Sequence, residues 1–198
     1  LDLKSDAGKE VLERLVDRAD IFVQAFRAGV IDELGFGYEE VSLRRPGLVY
    51  ASITGYGSRG PLRERPGYDP LMQAYTGMMS LTGYPEGKPA RVGGSVVDVG
   101  TGIVTALGIF AALQVRDRTG EGTHVESSLL ATSLGWVSYH IQGYLASGVV
   151  PERMGTGISM IAPYEGFHTS DGELMISAGH DGILERLCEA NKLQELKG

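Results

Sequence analysis

One aspartate, Asp98, is the residue of this sequence that is best placed to do chemistry. It stands in GGSVVDVGTGIVTALGIFAAL, residues 93–113, where small and apolar residues give way to a helical pattern. A carboxylate at a helix start faces free amides and the positive end of the helix dipole, which favour its ionised form. Such a carboxylate can be a covalent nucleophile, the same amides can stabilise an anion, and Gly100 and Gly102 leave room for a ligand. Asp98 can also be a simple N-cap, and on the residues alone that structural role is favoured.

Other catalytic patterns are weak. The histidines His124, His140, His168 and His180 are scattered without metal-ligand spacing, so no metal site is expected. No GxSxG nucleophile elbow is present. Residues 55–60, GYGSRG, match GxGxxG after a strand, but Pro61 follows and no apolar helix face begins there, so a glycine-rich loop is favoured over a dinucleotide site.

Composition narrows the classes of function. The 198 residues carry a formal net charge of -7, which argues against nonspecific binding to nucleic acid. The single cysteine, Cys188, excludes an intrachain disulfide and favours a cytoplasmic setting. The longest apolar run, residues 103–113, is too short to span a bilayer, so no membrane association is expected. The 29 glycines have no period and indicate many turns and close backbone approaches.

The elements around Asp98 alternate between helix and strand, which predicts an α/β fold with a parallel sheet covered by helices. Buried strands are expected at 20–26 and 48–54, a further strand at 123–130, and two short strands within 163–178. A first helix begins at Ser5 or Asp6, with Val11, Leu12, Leu15 and Val16 on one face. The other expected helices are 29–34, 38–43, 68–81, 99–115, 131–145 and 181–193.

The chain resembles the family III CoA-transferases, the CaiB/BaiF relatives of carnitine dehydratase and formyl-CoA transferase. The resemblance runs in order from residue 1 to about residue 179. The segments that carry it are LDLKSDAGKEVLERLVDRADIFVQAF, GVIDELGFGYEEV, PGLVYASITGYGSRGP, GYDPLMQAYTGMMSLTG, PARVGGSVVDVGTGIVTALGIFAAL, RTGEGTHVESSLLAT and APYEGFHTSDG. A glycine-rich stretch without a clear period predicts a linker at 148–160 and a second module at 161–198. The resemblance implies that residues 1–147 belong to a Rossmann-like large domain and that residues 161–198 begin a smaller α+β domain.

The resemblance also implies a reaction. In the family an aspartate at the position of Asp98 attacks an acyl-CoA thioester to form a mixed anhydride, and the CoA thiolate then converts it to an aspartyl-CoA thioester. An incoming carboxylic acid then attacks this thioester, the same steps run in reverse, and the acid leaves as the new acyl-CoA. CoA is thus a substrate, and no permanently bound cofactor is implied.

Further positions carry over from the family. Leu1, Asp2, Leu3 and Lys4 match a segment along the nucleotide end of CoA. Ala25, Phe26 and Arg27 match a stretch along CoA in which Ala25 replaces the usual asparagine. Glu33 replaces an arginine that meets a CoA phosphate in many relatives, so that contact is lost or moved. Pro66, Gly67, Tyr68 and Asp69 match a loop near the pantetheine thiol, although Tyr68 can also be merely half-buried and Asp69 a helix cap.

Two alternatives stay open. The related α-methylacyl-CoA racemases use a His-Asp pair where this chain has Tyr68-Asp69, and tyrosine is a poor general base near neutral pH, which favours transfer. The other alternative is an inactive acyl-CoA-binding fragment. Family members extend beyond both ends of this chain and form interlocked homodimers, so we expect residues 1–198 to be a fragment that is inactive alone.

Overall fold

A parallel sheet organises the first part of the chain. It consists of β1 (Ile21–Gln24), β2 (Val49–Thr54) and β3 (His124–Ser128), with β2 in the centre. The computed structural model describes residues 1–190. Ala51 in β2 lies opposite Val23 on one side and Val125 on the other. β2 is buried as predicted, whereas β1 is largely exposed and that prediction is wrong, because within residues 1–190 β1 is an edge strand with β2 as its neighbour.

Helices occupy the expected places with different boundaries. Within the described chain they are α1 (Asp6–Val16), α2 (Val30–Glu33), α3 (Tyr38–Arg44), α4 (Asp69–Tyr75), α5 (Met78–Leu81), α6 (Val96–Thr119), α7 (Leu129–Trp136), α8 (Ser138–Ser147) and α9 (Asp181–Ala190). The helix expected at 68–81 is divided because Gly77, with φ of 82°, is left-handed and ends α4. The helix expected at 131–145 is divided at Val137. Residues 191–193 of the last predicted helix lie outside the described residues.

The first helix contributes a narrower apolar face than predicted. Ser5 is its N-cap, because its Oγ accepts a hydrogen bond of 3.1 Å from the amide of Gly8. Val16 is buried in the core, but Val11 and Leu15 are 43% and 56% exposed. The buried core on this side of the sheet comprises Val16, Ile31, Phe36, Val41, Leu48 and Tyr50.

The long helix α6 packs tightly on the sheet. A Cβ at Gly108 would lie only 2.7 Å from Cγ1 of Val125 in β3, so a side chain there has no space. Thr105, one turn earlier, makes a hydrogen bond of 2.6 Å with Ser127. These contacts fix the position of α6 along the sheet and its rotation about its own axis. They therefore also fix where its first turn lies.

α6 is longer than the helix expected at 99–115. It has 24 residues and, by length and composition alone, could cross a membrane. One such helix is weak evidence, because the core helix of a soluble protein meets the same criterion. On one face of α6 the apolar side chains of Val99, Ile103, Leu107 and Phe110 are exposed.

The chain divides into two compact units. The first comprises 1–78 and 92–142 and contains the parallel sheet, which confirms the α/β prediction. The second comprises 79–91 together with the residues from 143 onward. It contains an antiparallel pair, β4 (Tyr164–His168) and β5 (Glu173–Ser177), as expected. The domain boundaries drawn at residues 147 and 160 stay predictions.

We predict that Gly108→Ala destabilises the protein by about 1–3 kcal/mol, because the added methyl group overpacks the contact with Val125. Gly102→Ala in the same helix is the matched control. No atom lies within 4 Å of the place where its Cβ would stand, so the better helix propensity of alanine should leave stability equal or raise it by up to about 1 kcal/mol. Urea unfolding measures both variants, and equal midpoints would contradict the packing described for α6.

Candidate active site

A cavity of about 620 Å³ opens at the carboxyl ends of the parallel strands. This edge is where open α/β sheets bind ligands. Seven of the residues singled out in the sequence line it together: Ala25, Phe26, Arg27, Pro66, Gly67, Tyr68 and Asp98. Residues 25–27 follow β1, residues 66–68 form the approach to α4, and Asp98 stands on the first turn of α6. Segments far apart in sequence therefore meet around Asp98.

Two glycines allow the loops of this cavity to cross. A Cβ at Gly55 would lie 2.7 Å from Cα of Gly67, so the backbone after β2 and the backbone before α4 touch directly. No helix begins within residues 55–60, so GYGSRG lacks the context of a dinucleotide motif and is the predicted loop. The crossing places Tyr68 at the cavity and directs the chain into α4.

Asp69 is a buried helix cap rather than a lining residue. Its side chain is 2% exposed, and Oδ2 accepts hydrogen bonds from the amides of Val97 at 2.8 Å and Asp98 at 3.3 Å. These amides belong to the first turn of α6, whose own N-cap residue, Ser95, makes no side-chain capping bond. The structure thus gives Asp69 the capping role and places it behind the cavity, not along its surface.

The carboxylate of Asp98 is consequently not needed as a cap. Asp98 is the third residue of α6, inside the first turn, and its side chain is exposed to the cavity. Within residues 1–190 its carboxylate accepts no hydrogen bond that would occupy it. Desolvation raises the pKa of Asp98 above its usual value, and the nearby charge of Asp69 raises it further. The result is an accessible carboxylate of increased basicity.

The same arrangement corrects the expected source of oxyanion stabilisation. The amides of Val97 and Asp98 already donate to Asp69, and the amide of Val99 donates to the carbonyl of Ser95 at 3.0 Å. These three amides are therefore not available to an anion that forms beside Asp98. The positive end of the α6 dipole still acts on the site.

Residues one turn beyond Asp98 also belong to the cavity, and the sequence predicted only part of this. Thr101 and Gly102 line it, since positions three and four residues after Asp98 share its helix face. Gly102 has open space as expected. Gly100 does not provide room for a ligand, because a Cβ there would lie 2.8 Å from the Trp136 ring. Its small size instead admits the indole against α6.

Three arginines line the same cavity as Asp98. Arg27, Arg63 and Arg65 line the cavity, and Asp98 is the acidic residue among the lining residues described. Arg63 also forms an exposed ion pair of 3.2 Å with its neighbour Glu64. In a chain with a net charge of -7, this local excess of cations favours anionic ligands.

A second cavity of about 750 Å³ has the opposite character. Arg27 and Arg63 reach it too, but the carboxylates that line it outnumber them. These are Asp32, Glu33, Glu64 and Glu126. Glu33 thus lies among like charges, in a place unsuited to a phosphate.

The remaining predicted contacts lie elsewhere. Leu1, Asp2, Leu3 and Lys4 form the turn that leads into α1, with the amide of Lys4 donating to Oδ1 of Asp2 at 3.0 Å. They line none of the cavities described. Across residues 1–190, no three His, Cys, Asp or Glu side chains gather closely enough to hold a metal ion.

Comparison with known proteins gives one consistent result. The model of CoA-transferase family III matches residues 1–198. An acetyl-CoA:oxalate CoA-transferase of Acetobacter aceti is 38% identical over 197 residues, which are 99% of this chain and 51% of that protein. A succinate–glutarate CoA-transferase of Agrobacterium fabrum is 39% identical over 94% of this chain and 47% of its own length. The chain thus spans about half the length of these curated relatives.

A solved structure shares the fold. The crystal structure of a CAIB/BAIF family protein from Brucella suis matches with a TM-score of 0.83 and 38% identity, over 98% of this chain and 52% of that one. At this identity and coverage, the likeness extends across both units of the described chain.

Because Asp69 caps α6 and Asp98 does not, substitutions of the two aspartates should have opposite effects on stability. Asp69→Ala should cost about 1–2 kcal/mol for the lost cap, and more because the buried side chain of Gln73 loses its acceptor. Asp98→Asn should be neutral or stabilising near neutral pH, because it removes an unbonded carboxylate from beside Asp69. Since the pKa of folded Asp98 is raised, any stabilising effect of Asp98→Asn should disappear as the pH falls below that pKa.

Urea unfolding of both variants between acidic and neutral pH measures these effects. A large loss for Asp98→Asn together with no loss for Asp69→Ala would show that Asp98, and not Asp69, caps α6.

Proposed function

Because this chain belongs to CoA-transferase family III, we propose that the protein transfers CoA from an acyl-CoA thioester to a free carboxylic acid, with Asp98 as the nucleophile. One observation carries the proposal. The capping bonds of α6 are made by Asp69, so the exposed carboxylate of Asp98 is free to react inside the cavity. The racemase and the inactive binding fragment are the alternatives that the tests below separate.

The reaction proceeds by covalent exchange on Asp98. The carboxylate attacks the thioester carbonyl, the C–S bond breaks, and a mixed anhydride and the CoA thiolate result. The thiolate attacks the aspartyl carbonyl of the anhydride, which releases the donor acid and leaves an aspartyl-CoA thioester. The acceptor carboxylate attacks that thioester and regenerates an anhydride and the thiolate. Attack of the thiolate on the acyl carbonyl then gives the new acyl-CoA and free Asp98.

The environment of Asp98 supports these steps. Its raised pKa makes the carboxylate a better nucleophile, and above that pKa it is ionised. Arg27 and Arg63 attract the anionic donor and acceptor and compensate the charge of the oxyanions. Ala25, Phe26, Arg27, Pro66, Gly67 and Tyr68 are proposed to contact CoA, and Leu1 to Lys4 to lie along its nucleotide end in the whole protein.

We propose further that the acceptor is a dicarboxylic acid. The two curated relatives are named for oxalate and for succinate and glutarate, which are all dicarboxylates. A second carboxylate needs a cation away from the reacting one. Arg65 is the best placed of the three arginines, since it lines the cavity of Asp98 and not the acidic cavity.

The racemase alternative is disfavoured by the cavity. Among its described lining residues Tyr68 stands where a racemase has histidine, and no histidine is present to act as a base near neutral pH. Racemisation would exchange the α-hydrogen of an acyl-CoA with solvent, whereas transfer by way of Asp98 would not.

We predict that Asp98 becomes covalently modified during turnover. The whole protein is incubated with acyl-CoA, quenched with hydroxylamine, and digested, and the peptide containing Asp98 is analysed by mass spectrometry. A hydroxamate on Asp98 is expected in the native protein, and Asp98→Asn should lower kcat by roughly 10³-fold or more. An unmodified Asp98 with deuterium entering the α-carbon from heavy water would indicate a racemase. If neither the modification nor the deuterium is observed, the protein binds acyl-CoA without catalysing either reaction.

We predict that Arg65→Gln raises KM for a dicarboxylic acceptor by about 10-fold or more, as expected when a charged hydrogen bond of about 1.5–3 kcal/mol is lost. KM for a monocarboxylic acceptor should change little. Arg14→Gln on the exposed face of α1 removes an equal charge far from the cavity and is the control. Equal effects of Arg65→Gln on both acid classes would contradict the assignment.

A further inference from the structure

A chain of hydrogen bonds runs behind Asp98. The amide of Val92 donates to Oε1 of Gln73 at 2.9 Å, and Nε2 of Gln73 donates to Oδ1 of Asp69 at 2.6 Å. Oδ2 of Asp69 in turn accepts from the amides of Val97 and Asp98. Gln73 is fully buried, and Asp69 is nearly so. Both side chains belong to α4, at positions four residues apart on one face.

The direction of this chain is fixed by its ends. A backbone amide can only donate, so the oxygen of Gln73 must face Val92 and its nitrogen must face Asp69. The amides of α6 likewise require an acceptor from Asp69. The ionised carboxylate satisfies both demands at once, with one oxygen toward Gln73 and the other toward α6.

The same series of hydrogen bonds holds both ends of a short glycine-containing segment of the backbone. Val92 lies just before Gly93 and Gly94, and Val97 follows them in α6. A Cβ added at either glycine would have no atom within 4 Å. Ser95 makes no side-chain cap. Within this segment, the start of α6 is therefore fixed by the two α4 side chains rather than by a local capping motif.

We propose that Asp69 and Gln73 are a positioning pair that fixes the start of α6 and thereby the direction in which the Asp98 carboxylate faces the cavity. The inference rests on the proposed function, because it assigns the pair to the same reaction. Neither side chain touches the substrate. They act through the backbone of Val97 and Asp98, and the charge of Asp69 also raises the pKa of the Asp98 carboxyl.

Three variants of the whole protein test the pair. Gln73→Leu removes the link to Val92 and Asp69, and should lower kcat and the rate of Asp98 labelling by about 10- to 100-fold while KM for acyl-CoA changes little. Asp69→Asn must place its amide nitrogen against either Gln73 or the α6 amides, where donor would face donor, and should have a similar effect. The control is Thr76→Val, which removes a partly buried hydrogen bond between the end of α4 and Ser133 without touching the pair, and should leave kcat unchanged.

The exchanged pair, Asp69→Asn with Gln73→Glu, restores every bond with the charge moved to position 73. The carboxylate introduced there would accept from Val92 and from the amide nitrogen introduced at position 69, whose amide oxygen would still accept from α6. We expect the exchanged pair to recover most of the lost kcat. In addition, the acid limb of the pH–rate profile should lie at lower pH than in the native protein, because a more distant negative charge raises the pKa of Asp98 less.

The outcomes separate the two proposals. No labelling of Asp98 in the native protein overturns the proposed function. Labelling in the native protein, together with unchanged kcat and pH profile in Gln73→Leu and in Asp69→Asn, overturns the positioning pair alone. If the single variants fail to fold, the exchanged pair decides, and an exchanged pair that folds like the native protein but transfers CoA no faster than Asp98→Asn contradicts the proposal.

Discussion

The buried carboxylate of Asp69 accepts hydrogen bonds from two first-turn amides of α6, and the rest of the site is built around this contact. It satisfies donors that a helix start otherwise leaves unpaired. The side chain of Asp98, standing in the same turn, is therefore released from capping and can face the cavity. The close approach of Gly55 after β2 to Gly67 before α4 positions Asp69. The packing of α6 on β3 positions the amides whose hydrogen bonds Asp69 accepts.

Two aspartates so close together also set the electrostatics of the site. Asp69 is buried and accepts three hydrogen bonds, whereas Asp98 is exposed, with a pKa raised by desolvation and by its neighbour. Arginines on the surrounding loops supply the opposite charge. A basic carboxylate among cations is suited to exchange acyl groups between anionic partners, which is the chemistry proposed for this member of CoA-transferase family III.

The α/β architecture is predictable from the sequence because short segments of the sequence determine its helices, strands and turns. Strand runs, a serine cap for α1 and glycine turns each reflect interactions within a few residues. The position of Asp98 at the start of α6 and the lining residues 25–27 and 66–68 were likewise predicted, with the resemblance supplying what spacing alone did not.

Long-range contacts explain what the sequence did not predict. The cap of α6 comes from 29 residues earlier in the chain, and no pattern around Asp98 records it. The burial of Gln73 and the approach of Trp136 to Gly100 depend on the same tertiary packing. The division of a predicted helix at Gly77 is different, since glycine permits a left-handed residue without requiring one.

The measurement that tests the central claim most directly follows oxygen from substrate to protein. The whole protein would turn over with an acyl-CoA and a carboxylic acid whose carboxylate oxygens are ¹⁸O, and the peptide containing Asp98 would then be analysed by mass spectrometry. Exchange through an anhydride leaves one acid oxygen on the aspartate in each cycle, so ¹⁸O should accumulate on Asp98 and be absent from Asp69. Transfer that proceeds without ¹⁸O on Asp98, or with ¹⁸O on another residue, would contradict Asp98 as the nucleophile.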